Sequence, residues 1–277
     1  MRLRRIAILI DGGFFVKRLS RLVGEENCRT PQDVAKWAQR ISMNHVRRLT
    51  REPCHRRDSR WLDHVYRMFY YDATPWEGVA HNPFSNLQVK FANSEEARFR
   101  HELFAALRKQ RKFALRLGHV AKEDGWRLKD PGTEKKLLRT FQQIETLDML
   151  VSIAEGEKSA EDIDPDKLQD AKRILDLWRG LDGDAIKFGL RQKGVDIRIG
   201  VDITSLTLKR QVDTIILVTG DCDFVPAAKL ARREGVEFIL DPMRQNVSSD
   251  LDEHIDGMYS GLGLGRDRQD ENNESGV

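Results

Sequence analysis

The chain has 277 residues, of which 40% are hydrophobic and 33% charged, with a formal net charge of +3. This composition indicates a soluble globular protein, and no stretch approaches the roughly 18 consecutive apolar residues that span a membrane. The three cysteines form neither a CxxC pair nor a zinc-ligand spacing. We therefore expect a protein of a reduced, cytoplasmic compartment with no membrane partner.

The N-terminal part of the chain is more basic than the whole. Residues 1–67 contain 16 Lys and Arg against 7 Asp and Glu. A basic surface suits a phosphate-rich partner such as nucleic acid. The alternative is an ordinary solvated surface whose charge is balanced by acidic residues elsewhere.

Predicted strands and helices alternate along the first half of the chain. The run "RRIAILIDGG" predicts a buried strand that ends at Asp11. A helix follows with Thr30 as its N-cap and Pro31 as its first residue, and "HVYRMFYYDA" predicts a second strand that ends with Asp72. Another helix begins after Ser94, and "FALRLGHV" predicts a third strand. Such an alternation is typical of a parallel α/β sheet.

The alternation of predicted strands and helices stops at about residue 122 and resumes after about residue 180. We expect a helical insertion at about residues 122–180 with an exposed, acidic middle, and then a helix for which Asp202 is a plausible start. The run "DTIILVTGD" predicts a strongly apolar strand, "DFVPAAKLARREG" a helix that ends at a glycine, and "VEFILDP" a last strand. We predict one domain over residues 1–260 and a disordered polar tail over residues 261–277.

Aspartates follow the predicted strands at the positions where parallel sheets bind ligands. Asp11 ends the first strand, and Asp221 and Asp223 follow the strand "TIILV" with one residue between them. Ligands of parallel sheets lie beyond the carboxyl ends of the strands. Two carboxylates so close together repel each other, so they need a cation between them, a helix N-terminus behind them or open water around them. Each aspartate taken alone is also explained as a turn residue or helix cap.

Several carboxylates at one end of a sheet form an all-oxygen site. Such ligands favour Mg²⁺ or Mn²⁺ over zinc. One or two such ions lower the pKa of water and stabilise charge on phosphate oxygens, which is the basis of metal-dependent phosphodiester hydrolysis.

Three sequence blocks resemble a known family. "IAILIDGGFF", "QKGVDIRIGVDI" and "DTIILVTGDCDFVPAAKLARREG" look like the signature blocks of the NYN-domain family, which belongs to the PIN-like nuclease superfamily. The resemblance covers about residues 4–121 and 181–243. It implies a Rossmann-like, three-layer parallel sheet of PIN-like type, an acidic metal pocket and metal-dependent RNA cleavage.

The resemblance also implies roles for particular residues. Metal would be bound by four aspartates, and a fifth is an adjacent catalytic acid whose role relative to the helix acid Asp202 stays open. The metal ligands are Asp11, Asp202, Asp221 and Asp223, and the adjacent acid is Asp196. Lys193 could contact phosphate or be a surface lysine. Many relatives carry Asn shortly after the first Asp, where this chain has Phe14 and Phe15.

The segment from His45 to Trp61 is rich in arginine. Arg47 and Arg48 are candidates for binding an RNA backbone, and Trp61 for stacking on a base. The alternative is an arginine-rich helix end and loop that face water.

These observations lead to one preferred function and two alternatives. The preferred function is a Mg²⁺- or Mn²⁺-dependent endoribonuclease that acts on single-stranded or looped RNA, whose backbone can bend into a pocket. The first alternative is a non-catalytic RNA-binding module, with the insertion binding a protein partner or a second copy of the chain. The second is a phosphomonoesterase, which the absence of a DxDxT motif after the first strand makes the weakest.

Overall fold

A computed structural model of the chain describes residues 3–51, 60–159, 164–247 and 249–262. The predicted disordered tail, residues 261–277, therefore lies outside the described residues from position 263 onward. So do part of the arginine-rich segment, residues 52–59, and part of the acidic middle of the predicted insertion, residues 160–163.

Strands and helices alternate along most of the described chain. The strands are β1 (Ile6–Asp11), β2 (Val65–Thr74), β3 (Val79–His81), β4 (Gln88–Lys90), β5 (Phe113–Leu128), β6 (Ile186–Lys193), β7 (Thr214–Val218), β8 (Glu237–Asp241) and β9 (Gly257–Met258). The helices are α1 (Gly12–Val23), α2 (Pro31–Thr50), α3 (Trp61–His64), α4 (Glu95–Arg108), α5 (Pro131–Arg139), α6 (Ile144–Ala154), α7 (Pro165–Arg179), α8 (Val195–Leu208), α9 (Val225–Arg233) and α10 (Ser249–Asp252).

The main sheet of the described residues has seven strands in the order β6-β5-β2-β1-β7-β8-β9. Its central strand β1 pairs in parallel with β2 on one side and with β7 on the other. The pairings of β2 with β5 and of β7 with β8 are also parallel. The predicted α/β fold with a mostly parallel, Rossmann-like sheet is confirmed.

Alternate residues of β1 pack on opposite faces of the sheet. Ile6, Ile8 and Ile10 belong to one apolar core with residues of α1, α2 and α4. Ala7 and Leu9 belong to a second core with residues of α8 and α9. All five residues are completely buried, as the period-2 geometry of a central strand with helices on both faces requires.

Local signals explain where several helices begin. The side chain of Thr30 accepts a hydrogen bond from the Asp33 N–H at the start of α2, and that of Ser94 accepts one from the Ala97 N–H at the start of α4. Both N-caps were predicted. Helix α1 was not, because Gly12 and Gly13 suggest a turn. Gly12 is required by close packing, since a Cβ there would clash with the Tyr70 ring.

The described chain divides into two compact units. The first contains residues 1–77, 92–121 and 192–277, and the second contains residues 78–91 and 122–191. The prediction of a single domain over residues 1–260 stays a prediction.

The second unit contains the residues of the expected insertion. The described residues of this unit form the distal part of β5, helices α5 to α7, most of β6 and the antiparallel β3–β4 hairpin. The helical insertion at about residues 122–180 stays a prediction. Its aromatic packing centres on Phe188, whose ring lies 5.1 Å from that of Phe91 and 5.2 Å from that of Trp126. Within the described residues, no helix of either unit combines the length and apolarity needed to cross a bilayer.

Candidate metal and phosphodiester site

The candidate site lies in the first unit, at the carboxyl end of the three central strands. In the parallel register, Asp11 of β1 is opposite Tyr71 of β2, and Ile10 is opposite Val218 of β7. Asp72 therefore lies one residue past Asp11 on one side, and the loop that begins with Thr219 lies on the other. The side chains that follow these strands are consequently gathered at one end of the sheet.

Asp11 is the central acid of this end. Its Oδ1 accepts a hydrogen bond from the Phe14 N–H at 3.1 Å, which makes it the N-cap of α1. Its Oδ2 is 3.4 Å from the Thr219 hydroxyl. Burial, together with the charges of Asp196 and Asp72, raises the pKa of Asp11 to about 6, against the hydrogen bonds from Phe14 and Thr219.

The loop after β7 carries the paired aspartates. The Asp221 side chain accepts a hydrogen bond from the Asp223 N–H at 3.1 Å, and the Asp221 N–H lies 3.3 Å from the Thr219 hydroxyl oxygen, which accepts it. Donor atoms of Asp221, Cys222 and Asp223 all lie within 4.8 Å of one another. Thr219 thus links this loop to Asp11. Cys222 is exposed in the loop.

Asp196 completes the group from the first turn of α8. This helix precedes β7 by a short connection, so its N-terminus lies at the carboxyl end of the sheet. Gly194, with a φ of 75°, reverses the chain just before the helix. Burial and the charges of Asp221 and Asp223 raise the pKa of Asp196. We call Asp11, Asp196, Asp221 and Asp223 the acidic cluster.

The prediction that Asp202 starts a helix was wrong. Helix α8 begins at Val195, so Asp202 lies in its middle. Its two carboxylate oxygens each accept a 2.8 Å hydrogen bond from the Arg116 guanidinium, and Oδ2 also accepts one from the Tyr71 hydroxyl at 2.9 Å. These contacts fasten α8 to β2 and β5. The role of Asp202 as a metal ligand stays a prediction.

Asp72 is an acid near the site that the sequence interpretation left unassigned. It is completely buried, and its Oδ1 pairs with Arg100 and accepts hydrogen bonds from the Ala73 N–H and the Gln192 amide. Its Oδ2 has no hydrogen-bond partner among the described residues. Burial raises the pKa of Asp72, and Arg100 opposes that shift. The signal was present in its position after a strand, as for Asp11.

The predicted RNA-binding residues differ in how far they are exposed to solvent. Trp61 is 4% exposed and packs in the apolar core, so its prediction as a base-stacking residue was wrong. Arg47 is only 8% exposed, and its role in binding an RNA backbone stays a prediction. Arg48 is exposed, with its guanidinium 4.0 Å from the centre of the Tyr259 ring. Lys193 is exposed at the end of β6, two residues before α8.

The donor set of the acidic cluster fits a hard divalent cation. Carboxylate oxygens are the ligands that Mg²⁺ and Mn²⁺ prefer. The raised pKa values of Asp11 and Asp196 reflect burial and mutual repulsion, which a bound cation relieves. The cluster is therefore chemically suited to holding such an ion.

Comparison with known proteins finds one family model that matches part of the chain. Residues 166–260 match the family model of the NYN domain. This match confirms the resemblance to the NYN-domain family over about a third of the chain. NYN domains belong to the PIN-like nucleases, which usually use divalent metal ions. The NYN match includes Asp196, Asp221 and Asp223 but not Asp11, so Asp11 joins the cluster through the parallel pairing of β1 with β7.

Other comparisons add little to the NYN match. No curated protein matches the chain. A crystal structure of a protein of unknown function, VPA0982 from Vibrio parahaemolyticus, is 14% identical and covers 96% of this chain and 98% of that chain, with a TM-score of 0.40. A likeness at this TM-score supports no argument about activity or fold.

Proposed function

We propose that the protein is a metal-dependent endoribonuclease whose metal ligands are the acidic cluster. The observation that carries the proposal is that Asp11 ends one strand, that Asp221 and Asp223 follow the parallel strand beside it, and that Asp196 interacts electrostatically with all three. The chain also has an NYN-family match over residues 166–260. Mg²⁺ or Mn²⁺ bound at the acidic cluster would lower the pKa of water and stabilise charge on a phosphate. Hydrolysis then adds water across a phosphodiester bond and leaves one phosphate ester and one alcohol.

We assign Asp196, rather than Asp202, as the helix-borne ligand. Asp196 interacts electrostatically with Asp11, Asp221 and Asp223. The Asp202 oxygens are already engaged by Arg116 and Tyr71. Asp202 then has a structural role, because its contacts fasten α8 to β2 and β5.

Residues around the cluster position it and its substrate. Thr219 connects Asp11 to the loop of Asp221 and Asp223, which keeps the carboxylates in fixed relation. Lys193 lies near the start of α8 and is the proposed phosphate contact. The substrate is single-stranded or looped RNA, because a duplex backbone bends poorly into a pocket. The cytoplasmic location stays a prediction.

The test is cleavage of single-stranded RNA with Mn²⁺ or Mg²⁺. We expect the wild-type protein to cut an internally labelled RNA, and both EDTA and Asp221→Asn to lower the rate by at least about 100-fold, as for loss of a group that stabilises transition-state charge. Asp213→Asn is the matched control, because Asp213 pairs with Arg5 at the start of β7. RNA binding without metal-dependent cleavage would support the non-catalytic module instead.

A further inference from the structure

An open groove between α8 and α9 begins at the acidic cluster. Its cavity volume is about 610 Å³, and Asp196 and Asp223 lie at one end of it. One wall is a stripe of α8 that includes Ile197, Gly200 and Val201, and the other is the segment from Phe224 to Ala227. The stripe continues to Thr204 and Ser205, so the groove runs for roughly 14 Å along the helix.

The floor of this α8–α9 groove is apolar and open to solvent. Ile197 is 68% exposed and Val201 is 60% exposed, although both are large aliphatic residues on a helix of the core fold. Between them, a Cβ added to Gly200 would meet no atom within 4 Å. A helix-interior glycine is unfavourable for the helix, and here no neighbouring atom requires it. The missing side chain instead leaves the groove deeper at its middle.

We infer that the α8–α9 groove binds a base of the RNA strand whose phosphate lies at the acidic cluster. This inference rests on the proposed function and adds to it a subsite for the nucleotide that adjoins the cut. The groove shares Asp196 and Asp223 with the cluster, so its occupant is continuous with whatever lies there.

The chemistry of the lining selects a base over other parts of RNA. Apart from the two acids at its mouth, the described residues that line the groove carry no charge and include no lysine or arginine. Phosphates therefore find no counter-charge in it, whereas the flat, neutral face of a base can cover Ile197, Gly200 and Val201. The Thr204 and Ser205 hydroxyls at the far end can exchange hydrogen bonds with base edges. Aliphatic contacts with few hydrogen bonds imply a weak preference among bases.

Gly200→Leu is the informative variant, because it fills the groove at a position where the native fold has open space. The substitution also increases helix propensity, so we expect the thermal midpoint not to fall. Leu208→Phe is the control, since Leu208 is an exposed apolar residue of the same helix outside the groove lining.

The readouts separate base binding from metal chemistry. For an oligouridine substrate with Mn²⁺, we expect Gly200→Leu to raise KM by about tenfold or more, equivalent to loss of a modest apolar contact. Hydrolysis of methyl p-nitrophenyl phosphate, a phosphodiester without a base, and the Mn²⁺ affinity should stay within about twofold, and Leu208→Phe should match wild type throughout. An unchanged oligouridine KM in Gly200→Leu overturns the groove assignment and leaves the nuclease standing.

Two further outcomes keep the groove and the nuclease distinguishable. Suppose that the wild type binds fluorescent oligouridine without cutting it and that Gly200→Leu weakens this binding about tenfold. That result supports base binding in the groove and contradicts the proposed nuclease activity. If light scattering shows that Gly200→Leu converts a dimer to a monomer without changing RNA affinity, the groove is an interface between two copies of the chain, and the base subsite is overturned.

Discussion

At the scale of single residues, the acidic cluster is an arrangement that opposes folding when no cation is present. Asp11 is largely buried beside other carboxylates, and its pKa is raised to about 6. The folded chain therefore holds a proton at a pH where the unfolded chain, with a pKa near 3.8 for this group, has lost it. The stability that this proton provides is complete below about pH 4 and is lost as the pH rises through about 6.

The raised pKa of Asp11 gives a prediction for the stability of Asp11→Asn. In EDTA at pH 7.5, we expect the variant to unfold with a free energy about 2 kcal/mol greater than wild type, because the buried charge is gone. The difference should shrink towards pH 4, and Mg²⁺ should stabilise the wild type but not the variant. Urea denaturation across this pH range is the measurement. A variant less stable than wild type at pH 7.5 contradicts the expectation.

Substitutions of Asp196 and Asp202 should differ in their effects on Mn²⁺ affinity and on the free energy of unfolding. Asp196→Asn should weaken Mn²⁺ binding by about tenfold or more without loss of stability, since the native carboxylate suffers repulsion. Asp202→Asn should leave Mn²⁺ affinity within about twofold but lower the unfolding free energy by about 1–3 kcal/mol, because a charged acceptor of Arg116 and Tyr71 is lost. Titration calorimetry and urea denaturation measure the two quantities. The reverse pattern would make Asp202 the ligand.

At the scale of elements, a buried hydrogen bond between His45 and Asp241 joins α2 to the end of β8. The His45 ring nitrogen Nε2 lies 2.6 Å from Asp241, and both side chains are completely buried. Asp241 also accepts hydrogen bonds from the backbone N–H groups of Met243 and Gly261, and the Asn44 amide donates to the Gly261 carbonyl. The segment that follows β9 is thus held against α2 by hydrogen bonds between buried or partly buried groups.

Removing either His45 or Asp241 should lower the free energy of unfolding. His45→Leu leaves Asp241 without its ring partner, so we expect a loss of about 3 kcal/mol in urea unfolding. His101→Leu is the matched control, because the His101–Glu77 pair lies on the surface and should contribute less than about 1 kcal/mol. Equal effects of the two substitutions would show that burial does not decide the contribution.

At the scale of the whole molecule, the sequence predicts the sheet better than it predicts the site. Apolar runs that end in aspartate define β1 and β7, and their parallel pairing follows from the alternation of strands and helices. Asp196 was ranked beside Asp202 because no local signal shows that α8 begins at Val195 and not at Asp202, seven residues later. The burial of Trp61 was missed because exposure of an aromatic in an arginine-rich segment depends on tertiary packing.

The second unit displays apolar side chains on its helices. Leu138 and Phe141 are more than two-thirds exposed, and Leu147, Val151 and Trp178 are about half exposed. Exposed apolar patches of this kind are typical of interaction surfaces. Binding of a protein partner or of a second copy of the chain through the insertion stays a prediction, for which this surface is the candidate.

A charge placed on this surface should weaken self-association. In light scattering at increasing protein concentration, we expect wild type to exceed the monomer mass and Phe141→Glu to remain at it, because a buried, unpaired carboxylate opposes association. Leu208→Glu, at an exposed apolar position of the first unit, should behave as wild type. A wild-type chain that stays monomeric at every concentration contradicts self-association.

The central position of β1 determines when the proposed activity can arise during synthesis. Asp11 is translated some 200 residues before its neighbour β7 and the loop of Asp221 and Asp223. Until the ribosome has made that later segment, the nascent polypeptide lacks Asp221 and Asp223, two of the four carboxylates of the acidic cluster. Under the proposed function, the chain could cut no transcript, including the messenger from which it is being read, before that later segment has been translated.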